Sequence, residues 1–131
     1  MKVEVSNGEI YDKITILQIK KRKNAGKNST VGYDIDAELN ELGKIGQPDD
    51  KLAQGYIAEL EEVNEKLWDV EDELRVCEAN QDFSDRFVEL ARSVYKLNDR
   101  RAKLKYEINM LTNSKLVEHK ILPSYNTNEE Q

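Results

Sequence analysis

The stretch FSDRFVELARSVYKLNDRRAKLKYEINML, residues 83–111, decides the fold. Phe87, Leu90, Val94, Leu97, Leu104, Ile108 and Leu111 recur at alternating steps of three and four, the mark of one helix stripe. One position on that stripe, Arg101, is charged where the pattern asks for an apolar side chain. A helix of about 29 residues is roughly 43 Å long, so a single short helix cannot cover it. A second long segment, Leu52 to Cys77, supplies the comparable surface: Leu60, Leu67 and Leu74 alternate with Val63, Val70 and Cys77 at heptad spacing. Between them, Asn80-Gln81-Asp82 is too short for anything but an antiparallel turn. Asn80 is expected to take the left-handed cap, Asp82 or Ser84 to cap the next helix, and Phe83 with Val88 to form a hydrophobic staple.

Working outward, Ser6-Asn7-Gly8-Glu9 matches a capping box and opens a helix over about 7–23. Ile10, Ile14 and Leu17 are its expected apolar edge, widened by Tyr11, Ile16 and Ile19. Lys20 to Lys23 complement its carbonyl end. Asn24 to Tyr33 reads as a loop, and its Gly26-Lys27 lacks the first glycine and preceding strand of a phosphate loop. Asp34 to Ile45 reads as a short second helix with Ile35, Leu39 and Leu42 inward, and Pro48 as the start of the third. After Leu111, the apolar residues Leu116, Val117, Ile121 and Leu122 are expected to dock back on the bundle. The chain from Asn126 on is polar and expected to fray. The reading is all-α: a long antiparallel helical hairpin with one or two shorter N-terminal helices packed on it, bundle- or coiled-coil-like. Residues 1–122 form the helical domain and 123–131 a polar C-terminal tail.

Composition supports this class. Of 131 residues, 38% are hydrophobic and 35% charged, with only two prolines and six glycines, which suits a helical bundle and leaves little for a turn-rich β fold. The net charge of −6 opposes nucleic-acid and anionic-membrane binding. The absence of a long apolar run opposes a membrane span. A single cysteine forbids an internal disulfide, and no apolar leader is visible near Met1, so a cytoplasmic protein is expected. The sequon Asn28-Ser29-Thr30 then has no role.

The third segment is acidic (Glu59, Glu61, Glu62, Glu65, Asp69, Glu71, Asp72, Glu73) and the fourth basic (Arg92, Lys96, Arg100, Arg101, Lys103, Lys105). In a hairpin centred near Gln81, facing residues have numbers summing to about 162. That places Arg101 near Glu61 and Arg92 near Val70 and Glu71, so the charge runs should face each other and fix register. The expected partner of Arg101 is therefore Glu61 or Glu62; the functional alternative is an anion-binding arginine inside the bundle. A second stripe, Val88, Ala91, Tyr95, Asn98 and Ala102, invites close approach of the first helix or of a symmetry mate. Asn98 needs a partner if buried. Trp68 lies off the heptad seam, where packing against a third helix is the ordinary role and ligand stacking the sharper one.

Catalytic signatures are missing. One histidine (His119) and one cysteine (Cys77) exclude a His/Cys metal site within the chain, and there is no nucleophile elbow or nucleotide loop. Carboxylate pairs such as Glu62 with Glu65 fit magnesium poorly, because helical pyrophosphohydrolases place such acids on two facing helices. Chorismate-mutase-like bundles hold a dicarboxylate with cations, for which Lys13, Arg22, Arg92 and Arg101 are available, though no spacing enforces it. No metal and no cofactor is expected.

Gly8-Glu9-Ile10-Tyr11-Asp12-Lys13-Ile14-Thr15-Ile16-Leu17 and Phe87 to Tyr95 continuing through Asn98-Asp99-Arg100-Arg101, with Leu67-Trp68 and Glu71-Asp72 between, carry a resemblance. From Val5 to about Lys120 the chain resembles a bacterial and phage family, domain of unknown function 6165. The resemblance implies a small all-helical protein, a loose association with surface-polysaccharide gene neighbourhoods, and no catalytic residues.

Two functional expectations follow from the residues. The first is a non-enzymatic helical interaction or scaffold module, homodimeric because one 17-residue helix cannot cover the hairpin's apolar edge, and able to take a protein partner. The second is a small enzyme or binding protein for an anionic, phosphate- or carboxylate-bearing metabolite, with Lys13, Trp68, Arg92, Tyr95, Asn98 and Arg101 as candidate ligand-binding residues.

Overall fold

Four helices are set by their caps. In the computed structural model, which describes residues 1–125, they are α1 (Asn7–Asn24), α2 (Ser29–Leu42), α3 (Lys51–Ala79) and α4 (Asp85–Leu111). The short 3-10 turn Gly43–Ile45 follows α2. The fold is all-α, with α3 and α4 forming the long antiparallel hairpin and the two shorter helices packed on it. No helix among the described residues is long and apolar enough to cross a membrane. The polar stretch from Asn126 lies outside the described residues.

Local chemistry corrects several expected boundaries. Helix α2 begins at Ser29 rather than Asp34 because the Asn28 side chain accepts the Val31 N–H at 3.1 Å, which shortens the loop. Helix α3 begins at Lys51, not Pro48, because Asp50 Oδ1 accepts from the N–H groups of Leu52 (2.8 Å) and Ala53 (3.1 Å). At the hairpin turn Gln81, with φ of 53°, takes the left-handed position expected of Asn80. The Asp82 N–H then reaches the Cys77 carbonyl at 2.8 Å, closing a Schellman turn. Phe83 turns onto the Phe87 ring, with centroids 5.3 Å apart, and Val88 stays half exposed, so the expected staple is replaced by an aromatic pair.

The core lies where α1, α3 and α4 meet, toward the open end of the hairpin. Tyr11, Leu60, Val63, Leu67, Leu104 and Ile108 are buried together, flanked by Ile14, Tyr56, Ile57, Val94 and Leu97. Each fully buried side chain of this size contributes about 1.5–3 kcal/mol. Asn7 bonds to Thr112 and Ser114 while Lys23 pairs with Asp69, so α1 runs alongside α3 and against α4. Helix α2 folds back on α1, burying Ile35.

The inward line of α1 differs from its expected aliphatic edge. Gly8, Tyr11, Asp12, Thr15, Leu17 and Ile19 are buried, whereas Ile10, Ile14 and Ile16 are only partly so. Gly8 permits this face to sit tight: a Cβ there would lie 2.5 Å from the Lys105 carbonyl oxygen.

The charge runs do not simply face each other. Arg100 meets Glu59, and Arg86 meets Glu73 at 3.2 Å, about one helical turn off the facing rule. Three other α3 acids turn to α1 instead, Glu61 and Glu65 to Arg22 and Asp69 to Lys23. The cationic last turn of α1 lies beside them and claims them first.

Candidate functional site

Arg101 does not pair with Glu61 or Glu62. It reaches across the core to Asp12 on α1, Nε donating to Oδ1 at 2.9 Å and Nη2 to Oδ2 at 2.5 Å. Asp12 is 1% exposed, so this carboxylate is removed from water and depends on its partners. Asn64 of α3 donates from Nδ2 to the same Oδ1 at 2.9 Å and to Thr15 Oγ1 at 2.9 Å. The Thr15 hydroxyl in turn donates to the Asp12 backbone carbonyl at 2.8 Å. One buried network thus joins α1, α3 and α4. The bonds to Asp12 raise the Arg101 pKa above its ordinary value against the opposing effect of burial, so the guanidinium stays charged.

A second set of polar contacts ties the start of α1 to the end of α4. Lys105 Nζ donates to Glu9 at 2.7 Å and lies 3.7 Å from Glu118. The Glu9 carboxylate is therefore spent on Lys105, while Ser6 Oγ accepts the Glu9 N–H at 3.2 Å. The Lys105 hydrogen bond holds the Glu9 pKa below the ordinary carboxylate range. The Gly8 N–H donates to buried Asn109 Oδ1 at 2.6 Å.

Beyond Leu111 the chain folds back along the outer face of α4. Of the four apolar residues expected to dock it, Val117 is partly buried while Leu116, Ile121 and Leu122 are exposed. His119 instead lies on the Tyr106 ring at 5.7 Å and Tyr125 on Tyr95 at 5.1 Å. Between this segment and α4 is an open cavity of about 570 Å³, lined among others by Asn98, Arg101, Lys105 and Tyr106. Two of the Arg101 nitrogens are spent on Asp12. No bond to Nη1 accompanies them, and the Arg101 side chain keeps 31% of its surface exposed.

The six candidate residues are not gathered in one place. Arg101 and Asn98 line the cavity, and Tyr95 holds Tyr125 at its wall. Lys13 is exposed on α1 and Arg92 exposed on α4. Trp68 is half-buried in a separate shallow hollow of about 410 Å³ with Leu17 and Ile35, between α1, α2 and α3. Asp12, Thr15, Asn64 and Asn109 went unnoticed as site residues. A signal was present: Gly8, Asp12, Thr15 and Ile19 recur at steps of four, three and four, and Asp12 is the one carboxylate on that line.

His119 stands on the C-terminal segment and Cys77 is buried near the hairpin turn, which leaves no Cys–His dyad among the described residues. No group of three or more His, Cys, Asp or Glu among the described residues is placed to hold a metal ion.

Fold and site together define a small helical bundle whose long hairpin is locked by an internal arginine–carboxylate network. The chain belongs to the Family of unknown function (DUF6165), whose profile matches residues 1–129. No curated protein and no solved structure matches it.

Proposed function

We propose that the protein is a non-enzymatic helical interaction module that pairs with a second copy of itself through the projecting end of the α3–α4 hairpin. The observation that carries this is where α1 stops. Its last turn meets α3 at Asp69, through Lys23. Past that level the hairpin's ion pair (Arg86 with Glu73) and ring contact (Phe83 with Phe87) are internal to it. Val76, Phe83 and Val88 are 58%, 52% and 50% exposed there, and Ala91 beside Val88 is exposed as well. Such a cluster of half-open apolar side chains at the tip of a rod is the usual material of an interface.

A second copy fits this end by charge. Glu71, Asp72 and Arg75 on α3 and Arg92 on α4 are exposed beside it, and none of the four has an ion-pair partner among the described residues. A two-fold operation sets one copy's arginines against the other's acids, so one patch complements itself. Light scattering tests the reading: a dimer mass at micromolar concentration supports it, and a monomer there removes it.

A further inference from the structure

We infer that the cavity between α4 and the C-terminal segment binds a small phosphate-bearing molecule, its phosphate seated at the free edge of Arg101 within the field of Lys96, Lys103 and Lys120. Three observations carry this. The guanidinium is pre-positioned: Asp12 holds two of its nitrogens, Asn64 in turn holds Asp12, and the Arg101 side chain, 31% exposed, still lines the cavity. An arginine fixed in this way loses little further freedom on gripping an oxyanion.

The cavity also carries unspent positive charge inside a chain of net charge −6. Arg100 is engaged by Glu59, and Lys105 is shared between Glu9 and Glu118. Lys96, Lys103 and Lys120 line the same space without an ion-pair partner among the described residues, against one such carboxylate, Asp99. Three cations opposed by one anion favour a dianion, the charge of a phosphate monoester near neutral pH, over a monocarboxylate.

The size and walls set the rest of the ligand. About 570 Å³ is within the range of small-molecule sites and exceeds what a bare phosphate fills. The Tyr106–His119 ring pair gives one side an aromatic face, and Asn98, with no hydrogen-bond partner for its side chain among the described residues, offers both a donor and an acceptor. Those features suit a ring-bearing phosphate monoester. A free molecule is favoured over a lipid headgroup because the cations line a recess between α4 and the C-terminal segment rather than one flat face.

The test is calorimetric titration and thermal shift with three probes: inorganic phosphate, pyrophosphate and AMP. AMP is expected to bind more tightly than inorganic phosphate and to raise the melting temperature by several degrees at saturation. The double variant Lys103→Gln/Lys120→Gln changes only exposed lysines, so it should keep the wild-type melting temperature while its AMP affinity falls about tenfold or more. An equal shift in wild type and variant marks a general salt effect and overturns the proposal, as does the absence of heat with all three probes. Co-sedimentation with phosphatidylcholine vesicles containing phosphatidic acid, without response to the soluble probes, would move the site to a membrane headgroup and also overturn it. None of these readouts depends on oligomeric state, so the dimer reading stands or falls separately.

Discussion

Arg101 and Asp12 are 89 residues apart in sequence and share a two-point ion pair inside the bundle. Each marks the place where an otherwise inward-facing stripe carries a charge. A buried pair of this kind is weak evidence for net stability, because desolvation can cancel the attraction between the charges. What it does impose is dependence: the buried Asp12 charge is not tolerable without Arg101, whose own side chain is 31% exposed. It also ties α1 to α4, since a slip of either helix would part Asp12 from the two Arg101 nitrogens it holds.

The first prediction follows from that dependence. Arg101→Met leaves the Asp12 carboxylate buried with only Asn64 to answer it, and should lower unfolding stability by about 3–5 kcal/mol. Asp12→Leu/Arg101→Met removes both charges and should recover most of that loss, the remainder reflecting the hydrogen bond that Asn64 gives up. Urea denaturation of the three proteins checks this. If the single variant is as stable as wild type, the pair is not what orients α1.

Gly8 gives the second. Alanine is the better helix former by up to about 1 kcal/mol, so at an open position the substitution would stabilise. Here the added Cβ would meet the Lys105 carbonyl oxygen at 2.5 Å and Asn109 Oδ1 at 3.0 Å, and a backbone atom cannot rotate aside. Overpacking costs about 1–3 kcal/mol, so the clash wins. Gly8→Ala should lower the urea midpoint, whereas Gly55→Ala, whose Cβ meets nothing within 4 Å, should raise it.

The third concerns acid. Lys105 holds the Glu9 pKa below its unfolded value. A depressed carboxylate contributes stability that is complete above the unfolded value of about 4.3 and is lost as pH falls through the lower folded value. The stability gap between wild type and Glu9→Gln should therefore be constant near neutrality, narrow below about pH 4.3 and vanish in stronger acid. Denaturation midpoints measured down the acid range check it. A gap that widens with acid has the wrong sign and excludes the Lys105 contact as its source.

The periodicity of residues 83–111 and the Leu60–Cys77 heptads were sufficient for the hairpin, because both long helices are amphipathic and the turn between them is short. The Arg101 interruption was legible as a singular position. Its partner was not, since the facing rule reaches only the hairpin and the counter-charge comes from α1. Helix α1 was legible in part: Tyr11, Leu17 and Ile19 of its expected edge are buried. Glycine, aspartate and threonine, which score as surface, share that face, while Ile10, Ile14 and Ile16 are only partly buried. The C-terminal segment was misjudged for the related reason that aliphatics were expected to dock it. Its ring contacts on Tyr95 and Tyr106 need a partner face that only the folded α4 supplies.

The last prediction addresses the hairpin tip. Val88 is half exposed on the second stripe of α4, whose other end, Asn98 and Ala102, lines the cavity beside the C-terminal segment. A glutamate at such an open position should change the stability of an isolated chain by no more than about 0.5 kcal/mol. In a two-fold interface the same charge is desolvated against a copy of itself, at a cost of several kcal/mol. Val88→Glu and Val76→Glu should therefore convert a dimer to a monomer while circular dichroism stays unchanged and the melting temperature loses its concentration dependence. If both variants retain the wild-type mass by light scattering, the copies meet elsewhere, and the exposed tip belongs to a different partner.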